Sequence, residues 1–379
     1  MTTVYDAPQT SYSDVTPQMR VISDIINMID PMDTPLLDAI GGLDGARSKF
    51  RIRENGTKIE LLEDEMPPLT SAVSNGTVAL TTNTLSFGVT DASLFKDGDA
   101  ILIDSEYMVV SAVDTAGNTV TVYARDYGGT NATHATNAVI TIVGEARLEG
   151  DDADFSSFVD ITAPYNYTSI YQDALKLTGT MAKLDQYGIN DAFSYQANKK
   201  VPGLLMRIER ALFHGIRAAG SATTPRSAGG LPTFITNNTV NAGGTIVKAD
   251  VDDIMEAIYN DGGSPDILCL NPAVARDLKD VLDTSSFVRV AQSETSLGMA
   301  PLQKVVTQYG SLNLVMSRHC PVSTAWALDT RKVGVYTLRP FAWHELAITG
   351  DSRKGEVIGE FSFLVANDAA HGKIYGITS

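Results

Sequence analysis

Cysteine is nearly absent from this chain of 379 residues: only Cys269 and Cys320 occur, far apart and outside any CxxC spacing. That leaves no disulfide framework and no cysteine-built zinc site, and favours buried, reduced thiols that pack as small hydrophobes. Long apolar runs are missing as well. No segment approaches the roughly 18 uninterrupted apolar residues of a membrane span. Residues 1–17 have neither the basic start nor the apolar run of a secretory signal, so the expectation is a soluble protein that stays in the cytoplasm where it is made. Positive charge is scarce: 29 Lys and Arg stand against 45 Asp and Glu, a formal net charge of -16. A chain this acidic repels nucleic acid as a whole and lacks the basic footprint of a general DNA-binding protein.

What is present is the composition of an ordinary globular protein, 44% hydrophobic and 20% charged, on a length that calls for two or three folded units. The first forty residues read as a polar tail and one helix. Thr16 can cap it, Pro17 suits its first position, Ile22, Ile25, Ile26 and Ile29 recur at helical spacing, and Pro31 and Pro35 stop it. From Gly41 to Pro68, Phe50, Ile52, Ile59 and Leu61 predict extended strands about the turn residues Glu54, Asn55 and Gly56, a hairpin arm.

Residues 69–144 change character. They are rich in Thr, Val and Gly, and predict strands at Thr77–Leu80, Ala100–Ile103, Tyr107–Val110, Thr119–Tyr123 and Val139–Val143. The turns at Asp97-Gly98, Ala116-Gly117-Asn118 and Gly128-Gly129 are close enough to force local pairing into a small barrel or sandwich. Because the arm-like pattern returns after Glu145, through the charged stretch 147–152 and an extended segment 160–180, this module reads as an insertion into a loop.

The longest helical region is 185–219, with Leu204, Leu205, Ile208, Leu212 and Phe213 as its apolar stripe and Arg207, Glu209 and Arg210 mostly away from it. Pro202 predicts a kink or break near Lys200. A glycine-rich crossover at 221–230 leads to alternating helix and strand. Val251, Ile254, Met255 and Ile258 mark a helix, Gly262-Gly263 its stop, 267–270 a strand, and Asn271-Pro272 a second helix. Strands dominate thereafter, at 312–316, 325–328, 333–338, 356–365 and 373–377. The fold class is α+β with a β insertion.

Reactive constellations do not emerge. His344-Glu345-Leu346-Ala347-Ile348 begins like a zinc-protease helix but has Ile348 where the second histidine must stand. No GxSxG, GxxxxGK[ST] or GxGxxG occurs, and the glycines suit turns. His134, His214, His319, His344 and His371 show no recurrent spacing, and His319 beside Cys320 does not make a metal site. Asp97, Asp99, Asp104 and Glu106 lack calcium-loop spacing, and Asp151-Asp152 and Glu63-Asp64-Glu65 have no pocket or partner for acid/base work. Triplets such as Asn55-Gly56-Thr57 have no glycosylation context without a signal peptide. No catalytic, cofactor-binding or metal residue is assigned, no cofactor is expected, and the chain is not read as an enzyme.

The C-terminal stretch is the distinctive one: Leu338-Arg339-Pro340-Phe341, Glu345-Leu346-Ala347, Thr349-Gly350-Asp351, Gly359-Glu360-Phe361 and Ala369-Ala370-His371-Gly372, in that order. This ordered set resembles the tailed-bacteriophage major capsid proteins of the Hong Kong 97 fold. So do Asp30-Pro31-Met32-Asp33-Thr34-Pro35-Leu36-Leu37, Glu209-Arg210-Ala211-Leu212-Phe213-His214-Gly215, Ala228-Gly229-Gly230-Leu231 and Gly262-Gly263-Ser264-Pro265-Asp266 followed by Asn271-Pro272.

The resemblance implies an N-terminal arm (1–44), an extension loop built as a β-hairpin (45–70 and 145–180) carrying the inserted module (71–144), a peripheral domain with the spine helix (181–230 and 341–379), and an axial domain (231–340). It implies hexamers and pentamers of an icosahedral head in the virion, assembled in the host bacterial cytoplasm around double-stranded DNA that is enclosed without sequence-specific binding. A separate scaffolding protein, a portal and a decoration protein are the partners it suggests, with no membrane. Pro202 and the inserted module depart from the family pattern. The rival readings are an encapsulin-like nanocompartment shell, which would hold enzymes, and a β-rich tail or attachment protein, which would leave the α/β region unexplained.

Overall fold

The computed structural model describes residues 33–43, 56–64, 66, 68–74, 85–125, 127–129, 132–150, 161–184, 191–284 and 304–378. The expected helix around Ile22, the strand at Phe50 and Ile52, the strand Thr77–Leu80 and the acidic pair at 151–152 lie outside the described residues. The chain divides into two compact units, residues 62–163 and residues 1–61 with 164–379.

In the larger unit, helix α1 (Pro35–Ala39) buries Leu36 and Leu37. Pro35 occupies the first helical position, where its missing N–H costs nothing. Strand β1 (Lys58–Glu60) follows.

The smaller unit holds β2 (Thr70–Ala72), β3 (Ser86–Gly88), β4 (Asp99–Ile103), β5 (Glu106–Asp114), β6 (Thr119–Val122) and β7 (Val139–Glu145). They form one antiparallel sheet in the order β2-β7-β4-β5-β6-β3. A bridge between Val73 and Val89 joins its two ends, backed by Ser74 N–H to Gly88 O at 3.0 Å and Thr90 N–H to Ala72 O at 2.9 Å. Of the barrel and the sandwich, the module is therefore a closed barrel, which leaves no free edge along that seam. Alternation along the strands sends Phe87, Ile101, Ile103, Met108, Val110, Val120, Val122 and Ile140 into one core. Gly98 supplies the left-handed turn (φ 86°) into β4. At the base of the unit, Glu63 and Thr162 pair as a two-stranded ribbon, each N–H donating to the other's carbonyl at 2.9 Å.

The larger unit resumes with β8 (Tyr165–Tyr167), antiparallel to β1 with Lys58 opposite Tyr167. Next come β9 (Ser169–Thr178), α2 (Gly179–Lys183) and α3 (Ala192–His214). Asp191 opens α3 by accepting the Phe193 N–H at 2.9 Å, and Phe193, Leu204, Ile208, Leu212 and Phe213 are buried. Glu209, read as lying away from the apolar stripe, is buried too.

The helix runs unbroken through Pro202 for 23 residues, where the sequence argues for a break. It is pinned on both sides of the proline, by Phe193 against Trp343 (ring centroids 5.5 Å apart) and by the apolar cluster from Leu204 onward. The carbonyl deprived of its N–H belongs to exposed Asn198, which water can satisfy. Pro202→Ala is expected to raise stability by about 1–3 kcal/mol, read as a shifted urea midpoint, since an interior proline costs up to ~3 kcal/mol relative to alanine. A lowered midpoint would mean that the helix needs its proline.

After a crossover bridged at Ala218 and Ser227 come α4 (Leu231–Phe234), β10 (Thr239–Gly244), α5 (Lys248–Asn260), β11 (Ile267–Leu270), α6 (Pro272–Thr284), β12 (Lys304–Thr307), β13 (Gly310–Met316), β14 (Thr324–Leu328), β15 (Val333–Glu345), β16 (Ser352–Val365) and β17 (Gly372–Ile377). One six-stranded mixed sheet has the order β10-β17-β14-β11-β13-β12, and α5 and α6 bury Val251, Ile254, Met255, Ile258, Val274 and Leu278 in its core. A second sheet, β15-β16-β9, is antiparallel and packs against α3. Its β16–β9 ladder runs in register from Ser352 opposite Thr178 to Phe361 opposite Ser169.

The strands do not divide at 340. Strand β15 begins at Val333, and β17 lies between β10 and β14 rather than beside β16. A four- or five-residue apolar run does not encode its partner, so the sequence pattern could not separate these pairings.

Candidate functional site

The residues scanned for chemistry are engaged structurally. His344 and Glu345 end a strand, not a helix, and Ile348 lies in the exposed turn beyond it. Cys269 and Cys320 are free thiols in the same buried cluster, and burial pushes the Cys269 thiol well above 9.0. His371 is buried; burial brings it down to about 4, so it is neutral, and its Nδ1 accepts the Asp329 N–H at 3.2 Å. Glu106, grouped from sequence with the calcium-like acids, is committed to buried Arg125 through two hydrogen bonds of 2.7 and 2.6 Å. Among the described residues no group of three or more His, Cys, Asp or Glu is arranged to hold a metal.

Four buried polar groups fix the scaffold. The amide of Asn166 is saturated: its Oδ1 accepts the N–H groups of Gly229 (2.8 Å) and Tyr167 (2.9 Å), and its Nδ2 donates to Gly229 O (2.9 Å) and Phe363 O (2.8 Å). It ties the crossover to β8 and β16. Close approach also requires Gly230, where a Cβ would lie 2.6 Å from Ala211 O. Glu360 accepts from the Thr168 hydroxyl at 2.6 Å, pairs with Arg226, and takes Arg339 at 3.1 Å. Glu209 reaches from α3 to the Leu37 N–H at 3.4 Å and the Ser317 hydroxyl at 2.5 Å. It thereby caps α1, whose own N-cap Thr34 makes no side-chain bond. His371 is the fourth, and beside it a Cβ at Gly372 would strike Ile254.

The carboxylates respond to pH with opposite sign. Burial pushes Glu360 up, but the Thr168 hydroxyl and the two guanidinium groups outweigh it and hold the group below 4.5. Its stabilising contribution is therefore complete above 4.5 and lost as pH falls from there through the folded value. For Glu209 burial dominates and holds the group above 4.5, so its ionisation costs stability as pH rises through that range. Glu360→Gln is expected to be less stable than the parent at neutral pH, with the gap closing as pH falls below 4.5 in urea titrations. A gap that stays constant would assign the loss to shape and not to charge.

The surfaces left open are apolar where an isolated subunit has no use for them. In the smaller unit Leu62 (79% exposed), Met66 (89%), Leu69, Leu148 and Ile161 protrude around the two-stranded ribbon. A ribbon with so little core is not stabilised by its own contacts. In the larger unit Ile170 on β9, and Leu346 and Ile348 beyond β15, are exposed. Sequence reading did not single out these side chains.

A long helix laid on an antiparallel sheet, a mixed six-stranded sheet, and a barrel inserted in the chain between β1 and β8 define a fold of the Hong Kong 97 class. Solved structures share this fold. The capsid asymmetric unit of cyanophage A-1(L) matches with a TM-score of 0.55 at 13% identity, covering 98% of this chain and 100% of the other. The capsid of a native GTA particle matches at 0.53 with 10% identity, and Mycobacterium phage Ogopogo at 0.51 with 11%, each covering 98% of this chain and 100% of its own. An encapsulin complex from Synechococcus elongatus covers 58% of this chain and 78% of its own at 13% identity and a TM-score of 0.43, too low to argue from. No curated protein matches the chain. The model of the SU10 major capsid protein family matches residues 2–378, and the chain belongs to that family. It is a structural protein of a bacteriophage capsid.

Proposed function

We propose that the subunit assembles through hexamers and pentamers into an icosahedral head around double-stranded DNA, and that it catalyses no reaction. The family match over residues 2–378 carries this reading. The exposed apolar side chains Leu62, Met66, Leu69, Leu148 and Ile161 support it physically, since a neighbouring subunit would cover a ribbon so poor in core. Heterologous contacts of this kind close into rings when the rotation is six- or fivefold.

Within this reading residues 33–43 belong to the arm, 56–61 and 164–178 to the base of the extension loop, and 192–230 with 333–365 to the peripheral domain. Residues 239–328 and 372–377 form the axial domain. The barrel is an insertion on the extension loop that sits on the outer surface or bridges capsomers. A separate scaffolding protein, a portal and a decoration protein complete the particle, which assembles in the host cytoplasm before becoming the virion.

The test is to express the chain in bacteria with and without its candidate scaffold, and to examine lysates by sedimentation and negative-stain electron microscopy. Closed shells or hexameric rings are expected. A monodisperse monomer under both conditions would overturn the proposal, and enzyme cargo inside purified shells would move it to a nanocompartment.

A further inference from the structure

The net charge of -16 conceals one surface of opposite sign. At 100° per residue, the arc of α3 turned away from Leu204, Ile208 and Leu212 contains Gln196, Lys199, Gly203, Met206, Arg207, Arg210 and His214, with Lys200 on its flank one turn before Leu204. Arc and flank together carry Lys199, Lys200, Arg207 and Arg210 and no carboxylate, because the acid within that stretch, Glu209, points into the core. Lys199 lies over the Tyr195 ring at 4.1 Å, which leaves its charge intact. Among the described residues the carboxylate that meets these cations is Asp173 of β9, which binds Lys200 at 3.0 Å and stands 3.9 Å from Arg207. Beyond the helix end, Arg318 is matched by Asp33 at 2.7 Å. Four cations set against that one acid leave a surplus of about three charges along roughly 16 Å of helix.

We propose that this ridge is where the shell touches the phosphate backbone of its packaged double-stranded DNA, an inference that rests on the capsid reading above. Arg207 keeps 57% of its side chain exposed, and Arg210 and His214 are exposed beside it. The arc has no large aromatic or branched apolar side chain of the kind that forms the core of a protein–protein contact. A patch of cations of one sign suits phosphates, which need charge and reach but no apolar packing. Charges more than about 8 Å away are largely screened at physiological salt, so the acidic remainder of the chain does not cancel the local field. Contacts this few are weak and independent of sequence, so they order DNA against the wall and still let it leave.

The experiment measures binding of a fluorescent 30-base-pair duplex, an arbitrary probe of about that length, to unassembled full-length protein by anisotropy across a salt series. Three phosphate contacts predict a log–log salt slope of about −2.7, and Arg207→Gln with Arg210→Gln should cut it to about −0.9 with clear loss of affinity. Lys176→Gln combined with Lys354→Gln, which stands directly opposite it in the ladder and so on the same face, is the charge-matched control. Strand alternation puts the pair on the sheet face opposite Asp173, and binding by this control should stay at the parental level. Equal binding by parent and double variant would overturn the proposal, as would a double variant that loses polyglutamate binding while keeping the duplex, because the ridge would then serve an acidic protein. Electron microscopy of the same preparations separates the two readings: shells without duplex binding sink only this inference, and failure of all variants and parent to form shells or rings sinks the capsid reading.

Discussion

Asn166→Ala is expected to abolish shell formation and to lower subunit stability by about 3–5 kcal/mol, among the largest losses a single substitution produces. The side chain is 2% exposed and makes four hydrogen bonds. Truncation leaves both backbone groups of Gly229, the Phe363 carbonyl and the Tyr167 N–H without it, in a site where Gly229 and Phe363 are buried. Each buried orphan costs about 1–3 kcal/mol, and relaxation keeps the sum below full additivity. The crossover then loses its register on β16, and with it the seat of the spine helix. Urea unfolding and negative-stain imaging of the variant provide the check. A midpoint within experimental scatter of the parent would show that the amide is dispensable and that Gly230 alone holds the crossover.

The second large effect belongs to the barrel. Glu106 and Arg125 are both buried, and His134 bridges Glu106 at 2.9 Å and Asp104 at 2.7 Å, while the Ala132 N–H completes the carboxylate at 2.9 Å. Burial alone would raise Glu106, but Arg125, the Ala132 amide and His134 bring it below its ordinary value. Glu106→Gln keeps the shape and removes the charge, leaving Arg125 buried without a counter-ion, a loss of about 3–5 kcal/mol. Amide hydrogen exchange should accelerate in peptides from 99–145 while those from 192–214 and 324–377 keep their protection, since the two units are separately compact. Uniform protection would mean that the network is ornamental. Shells that still close with an opened barrel would assign the module to the surface and not to the lattice.

Much of this architecture was legible in the sequence. Val251, Ile254, Met255 and Ile258 recur at helical spacing and form the buried face of α5. The Asp97-Gly98 and Ala116-Gly117-Asn118 turns bracket strands that pair locally, so the barrel announces itself within a short window. What stayed hidden is long in range or polar. Asn166 and Gly229 are ordinary residues until folding brings them together, and Glu209 reads as a surface acid until α1 offers its N–H groups. At Pro202 the sequence left a kink or a break open, and there is no break: local propensity cannot register the packing that holds the helix on either side.

The placement of β17 has a consequence for synthesis. Residues 372–377 fill the gap between β10 and β14, so the six-stranded sheet remains in two pieces until the ribosome has made that strand. The barrel, complete by residue 145, is free to form long before. A nascent or truncated chain that stops short of the strand carries a finished barrel and an open sheet. The order of translation thereby sets an order of folding: the barrel can close while the six-stranded sheet still waits for its last-made strand.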